Sequence, residues 1–417
     1  MPSSLRYFAI TGILLLASVL GGGFINGVAT LSERSGMGQA SSPVTLFMCG
    51  DVMTGRGIDQ IMPHPSSPVL YESYMKNARG YVELAEKANG PILQPVSYPY
   101  IWGAALAELE QRAPDVRIIN LETSVTRSDD YWKTKGIHYR MHPENIACLT
   151  AARIDYCSLA NNHTLDWGYA GLRETLKSLH QAGIKSSGAG HDVSEAEKPA
   201  VIQVAGKGRV VIFAYGSTAS GIPLSWAATQ KKAGINLLTE LSAETVHNIK
   251  QMVHQFEQPG DIIVISIHWG GNWGYRIRDE HIAFARQLID EAGVDVIHGH
   301  SSHHIKGIEV YKGKPVIYGC GDFLNDYEGI GGYERFRSDL SLMYFISMDP
   351  ATGDLVGMEL IPTRIKNCRV NAASPNEMLW LKNILNRESE RFGTKIEVNP
   401  ANSLTVRWND LLERLSE

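Results

Sequence analysis

"VDVIHGHSSHHIKG", residues 294–307, decides how this chain is read. Its first half is a short apolar run with β-branched residues, which predicts a buried strand. From residue 298 on it holds four of the chain's fourteen histidines: His298, His300, His303 and His304. Imidazoles at that density, placed where a strand stops, predict a site at a sheet edge and not a solvated face. In open α/β sheets, ligands bind outside the carboxyl ends of the strands.

The same arrangement recurs outward from this stretch. "VTLFMCG" (44–50) leads to Asp51, and "VRIINLE" (116–122) ends on Glu122. "IDYCSLANNH" (154–163) runs into Asn162 and His163. "DIIVISIHWG" (261–270) reaches His268, and "KPVIYGCGDF" (314–323), read as one strand, carries Asp322. Helical spacing appears at "WGAALAELEQR" (102–112), "IACLTAAR" (146–153), "GLRETLKSLHQAG" (171–183), 240–257 and "EHIAFARQLIDEAG" (280–293). Strands alternating with helices predict an α/β fold, and a parallel sheet would bring all these side chains to one rim. Residues 60–100 predict a long loop with a short helix near "YVELAEKA" (81–88), of the kind that covers a binding site. The tail predicts a helix over 376–392 and a strand at "SLTVRW" (403–408), an extension of the same domain spanning 371–417.

Composition bounds the function. The chain has 417 residues, 44% apolar and 20% charged, with a net charge of −5. These are ordinary globular values. No basic stripe runs along any segment, so no nucleic-acid partner is expected. After Arg6, residues 7–28 carry no charge, a run of about 22 residues that is long enough to span a bilayer. The expectation is a signal anchor over 1–30, a flexible linker over 31–43, and a protein held at the extracytoplasmic face of the membrane. Five scattered cysteines (Cys49, Cys148, Cys157, Cys320, Cys368) form no CxxC pair and are expected to be buried free thiols.

The rim residues define a chemistry. Imidazole, carboxylate and amide oxygen together suit divalent ions such as Mn, Zn or Fe. Asp51, Glu122, Asn162, His268, His300 and His303 form a candidate ligand set for one or two ions, with an oxygen donor bridging. Two ions a few ångströms apart activate water and stabilise the leaving oxygen of a phosphoester. His163 would then act as general acid. Asp166, His298 and His304 are expected to orient the ligands or to serve structure. Arg56, and Arg140 in "KTKGIHYRMHP" (133–143), are candidates to read an anionic substrate, with Trp269 and Trp273 as an aromatic wall and Asp322 on the same rim. The same groups allow a metal-free reading, in which Asp51 and His300 or His303 form an acid–base pair.

Five motifs, taken in order, carry a family resemblance. "CGDVMTGRG" (49–57), "NLETSVT" (120–126), "LANNHTLDWGYAGLRETL" (159–176), "HWGGNWGY" (268–275) and "GHSSHHIKGIEVYKGKPVIYGCGDF" (299–323) together resemble the CapA family of poly-γ-glutamate capsule biosynthesis proteins, relatives of calcineurin-like metallophosphatases. The resemblance implies a four-layer αββα sandwich over 44–370 and a tethered extracytoplasmic site. It also implies a role with poly-γ-glutamate or a related anionic cell-surface polymer, beside other capsule-synthesis membrane proteins. It maps Asp51 to the first-strand aspartate, Glu122 to the second, Asn162 and His163 to an Asn-His pair, His268 to a lone histidine, and His300 with His303 to the final pair. The chain departs from the metallophosphatase pattern at Met53, where a histidine is usual, and in the two serines between His300 and His303. It departs from many CapA-like chains at Asn272 and Asp322. Two other functions stay open beside a metal-assisted hydrolase or transferase. One is a metal-independent peptide Cα epimerase, and the other a non-enzymatic polymer-binding assembly or export factor.

Overall fold

Two parallel ladders build the molecule, each from strands whose apolar runs are buried on both faces. The structure, a computed structural model, describes residues 42–408. In the first ladder, β1 (Val44–Val52), β2 (Val116–Leu121), β3 (Tyr156–Ser158) and β4 (Lys185–Ser187) lie side by side. In the second, β5 (Gly208–Ser217), β6 (Asp261–His268), β7 (Val296–His300) and β8 (Lys314–Ile317) do the same. The chain then returns to the first sheet. There β9 (Asp322–Leu324) pairs parallel to β1, and β10 (Leu340–Met348) and β11 (Leu355–Ile365) extend the sheet antiparallel.

Side-chain alternation sorts the core into three clusters. Val44, Leu46, Met48, Val116 and Ile118 of the first sheet meet Val210, Ile212, Ile262, Val264 and Val296 of the second. On the outer face of the first sheet, Phe47, Ile119 and Cys157 pack against Leu109, Leu172 and Leu179 from helices Ala105–Arg112 and Gly168–Gln181. On the outer face of the second, Phe213, Ile265 and Ile297 pack against Val246, Val253, Phe284 and Leu288 from helices Ala243–Phe256 and Asp279–Ala292. The layers run helices, sheet, sheet, helices, the order that the resemblance implies.

Two expectations change. The rim residues belong to two facing sheets and not to one parallel sheet. "KPVIYGCGDF" is not one strand: β8 ends at Ile317 in the second sheet and β9 starts at Asp322 in the first, with a crossover at Gly319–Gly321. Residues 60–100 hold the expected short helix, at Arg79–Asn89, and add a short 3₁₀ turn at Tyr98–Trp102.

The tail forms helix Pro375–Ser389, opened by a Ser374/Glu377 capping box, and strands Lys395–Val398 and Leu404–Arg407 at the edge of the first sheet. The five cysteines are buried free thiols. The expected anchor over 1–30, and all but the last residues of the linker over 31–43, lie outside the described residues. Among the described residues, no helix is long and apolar enough to cross a membrane.

Candidate metal centre

The centre is a polar continuation of the inter-sheet core. Side chains two apart on a strand share a face. On β2, Val116 and Ile118 face the other sheet, and Asn120 and then Glu122 follow them. On β6 the series runs Ile262, Val264, Ser266, His268, and on β7 it runs Val296, His298, His300. β1 differs, because its ladder with β2 shifts between Met48 and Asp51. The slip sets the Asp51 carboxylate beside Asn120, whose Nδ2 donates to Oδ1 at 2.7 Å. It also lets Gly50 meet the crossover backbone, where a Cβ would lie 1.7 Å from the Gly321 carbonyl oxygen.

Two triads of donor atoms share Asp51. Asp51, His268 and His300 hold one donor each within 4.8 Å of one another, and so do Asp51, Glu122 and Asp322. All five residues are buried. Burial, with Asp322 nearby, pushes Asp51 up to about 7. Burial, then Asp51 and Asp322, push Glu122 well above the usual carboxylate range. Carboxylates crowded in low dielectric cannot all ionise without a counter-charge.

The imidazoles make the same demand. His268 Nε2 lies 2.9 Å from Asn162 Oδ1, which assigns the proton to Nε2 and leaves Nδ1 bare. His300 Nε2 lies 2.9 Å from Ser266 Oγ, and the two Nδ1 atoms face each other at 2.8 Å. Burial holds both rings well below the ordinary histidine value, so they are neutral bases. Two bare nitrogens at that distance need one shared proton or a cation. Charge, donor type and spacing therefore fit one or two divalent ions of the Mn, Zn or Fe class.

The remaining candidates fall around this core. Asn162 turns its amide oxygen to His268, one of the triad imidazoles. His303 stands outside both triads: its Nδ1 lies 3.0 Å from Asp322 Oδ1, and its Nε2 lies 3.0 Å from Asn272 Nδ2. Burial lowers the His303 pKa, but Asp322 and Asp51 outweigh that and raise it. Asp322, expected on the substrate side, joins the carboxylate triad. His298 bridges the sheets, with Nε2 donating to the Cys49 carbonyl at 2.7 Å and Nδ1 3.1 Å from Ser266 Oγ. His304 points away, accepting from the Gly274 N–H at 3.1 Å and stacking on Phe336.

His163 Nδ1 lies 2.6 Å from Asp166 Oδ2, and Lys135 Nζ binds the other Asp166 oxygen. Its Nε2 faces Glu122 at 3.8 Å. Burial, then the Lys135 and Arg56 charges, lower its pKa well below the ordinary value. The ring is thus a neutral base with Nε2 turned to Glu122.

Three candidates for substrate contact are already engaged. Arg56 is buried between Asp326 and Glu72. Arg140 binds the Ser128 carbonyl at 2.7 Å and Asp129 at 2.8 Å, over the Trp167 ring. Trp269 is buried, stacked on His281 at 4.7 Å with its indole N–H on the Tyr318 carbonyl. Trp273 instead lines a cavity of about 530 Å³ that reaches His303. Asn120 and Ser266 escaped the sequence reading, although each sits two residues before a candidate ligand on the same face. Tyr327, which also lines the cavity, carried no sequence signal.

The chain is similar to several known proteins. A "probable polyglutamine synthesis accessory protein" of Mycobacterium tuberculosis is 47% identical over 364 residues, covering 87% of this chain and 96% of that protein. The "PGA biosynthesis protein CapA" of Bacillus subtilis is 30% identical over 237 residues, 56% of this chain and 58% of that one. A solved structure described as a novel phosphatase of Mycoplasma pneumoniae aligns at 13% identity with a TM-score of 0.44, over 81% of this chain and 97% of that one. Residues 45–327, which include every residue of both triads, match the family described as bacterial capsule synthesis protein PGA_cap, and the chain belongs to that family.

Proposed function

We propose that this capsule-synthesis protein is a metal-assisted hydrolase or transferase acting on poly-γ-glutamate or a related anionic cell-surface polymer. The observation that carries the reading is the pair of buried triads hinged on Asp51. Divalent ions held there would polarise a phosphoryl or carbonyl oxygen of the substrate and lower the pKa of water. Asn120 and the Ser301 N–H, 3.3 Å from Asp51 Oδ2, fix the shared carboxylate. Ser266 and Asn162 fix the two imidazoles. His163, held by Asp166, takes the proton released during attack.

The N-terminal apolar run supports a membrane-anchored protein at the extracytoplasmic face, beside other capsule-synthesis membrane proteins. The epimerase alternative is not favoured: of its two acid–base pairs, Asp51 with His300 is too close, Oδ1 and Nδ1 lying 3.8 Å apart with no room for a Cα between them. The test is elemental analysis of the purified full chain, followed by incubation of the metal-loaded protein with poly-γ-glutamate and with a phosphodiester probe. One or two ions per chain and turnover that disappears on chelation are expected. A metal-loaded protein that turns over neither substrate makes it an assembly factor.

A further inference from the structure

Between the centre and its cavity lies a feature that the proposed reaction has not used. The Tyr139 ring stacks on His163 at 3.8 Å, and the Tyr327 ring packs edge-on to His303 at 5.4 Å. Their hydroxyl oxygens are 2.5 Å apart. Both residues line the 530 Å³ cavity. Tyr139 is only 2% exposed, and Tyr327 is half-buried. Behind them the Arg56 guanidinium carbon lies 4.8 Å from one ring centroid and 5.5 Å from the other, pinned by Asp326 and Glu72.

A proton count isolates the function. Phenols keep their protons at neutral pH, so the pair has two O–H groups. One is used between the two oxygens. Among the described residues, neither hydroxyl has a second hydrogen-bond partner, so one O–H is left without an acceptor. Tyr327 is the more exposed of the two and turns toward the cavity. Assigning the shared proton to the buried Tyr139 leaves the spare O–H on Tyr327, at the cavity. A donor with no acceptor at the edge of a buried site is a place for a ligand oxygen. An O–H binds an ionised oxygen more strongly than a neutral one, and Arg56 behind it stays paired with Asp326 and Glu72.

We propose that Tyr139 and Tyr327 form a two-hydroxyl clamp that binds an anionic oxygen of the substrate, phosphoryl or carboxylate, where the cavity meets the metal centre. The clamp deepens the proposed function by naming the group that enters first, and it rests on that reading only for the reaction that follows binding. Tyr327 is the contacting residue. Tyr139 is a positioning residue that polarises the Tyr327 O–H and holds its direction.

The test uses the full chain loaded with Mn²⁺ and inorganic phosphate as probe, with affinity measured by calorimetry beside metal content and thermal melting. Tyr327→Phe is expected to weaken phosphate binding about 10-fold with metal content and melting unchanged, the loss of one charge-assisted hydrogen bond. Tyr139→Phe is expected to weaken it about 3-fold, and the double variant no more than Tyr327→Phe alone. Unchanged affinity in Tyr327→Phe overturns the clamp and leaves the metal reading intact. A wild-type protein that binds phosphate but no metal, and loses phosphate in Tyr327→Phe, overturns the metal reading and leaves the clamp. Wild-type protein that binds neither phosphate nor, in the same titration, free glutamate overturns the clamp.

Discussion

Asp51 is the residue on which most of the chemistry turns, because both triads use it. Its carboxyl rises from an ordinary 3.8 to about 7 through burial and the Asp322 charge. A folded-state pKa raised in this way means that the folded protein binds the proton more tightly than the unfolded one. The group therefore costs stability as pH climbs from about 4 to 7. Asp51→Asn should consequently act in opposite directions in two forms. Chelated protein at pH 7 should gain roughly 2 kcal/mol, by relief of like-charge crowding. Metal-loaded protein should lose its ions from both triads, and melts with and without EDTA read both effects. His281 supplies a pH dependence away from the centre. Burial, then Lys306, lower its pKa to about 4. The unfolded chain binds the proton first as pH falls below about 6.5, so stability is lost on the acid side. At pH 5 the loss is about 2 kcal/mol. His281→Phe keeps the stack on Trp269 and should flatten that limb in urea unfolding at pH 7 and pH 5.

Elements were legible in proportion to their periodicity. β6 and β7 read as strands because their runs are short, β-branched and closed by polar residues, and His268 and His300 fell at their ends as expected. Helices such as Ala243–Phe256 were visible in their apolar spacing. Helix Arg56–Ile61 was not, since six residues give too little period to see. Membership of one sheet or another was also invisible, because a strand buried on both faces carries the same apolar run in either. The crossover Gly319–Gly321 illustrates this: an unbroken apolar stretch changes sheets within three small residues. Asn162 and His303 were named from strand-end position and from the resemblance, and their hydrogen bonds to His268 and Asp322 were not in the sequence to be read. The slip in β1 yields the sharpest element-level prediction. Gly50→Ala would drive a Cβ into the Gly321 carbonyl, a collision of two backbones with no flexible side chain to yield. The variant should lose more than about 3 kcal/mol, or fail to accumulate as folded protein, by urea unfolding and soluble yield.

At the scale of the molecule, the two sheets pack through apolar contacts along most of their length and through charged and basic groups at one end. Metal binding there should be inseparable from folding, since the donors converge only in the native state. At free metal about 1,000 times the dissociation constant, binding adds about 4 kcal/mol. Chelation should therefore lower the melting temperature by several degrees and speed amide exchange in β6 and β7 more than in the outer helices. The donors come from opposite walls, Asp51 and Glu122 from one and His268 and His300 from the other. An ion between them is a rivet as well as a reagent. If the proposed ions bind, a cell short of them would lose this protein by proteolysis before any idle copy accumulated, and its abundance would follow mineral supply.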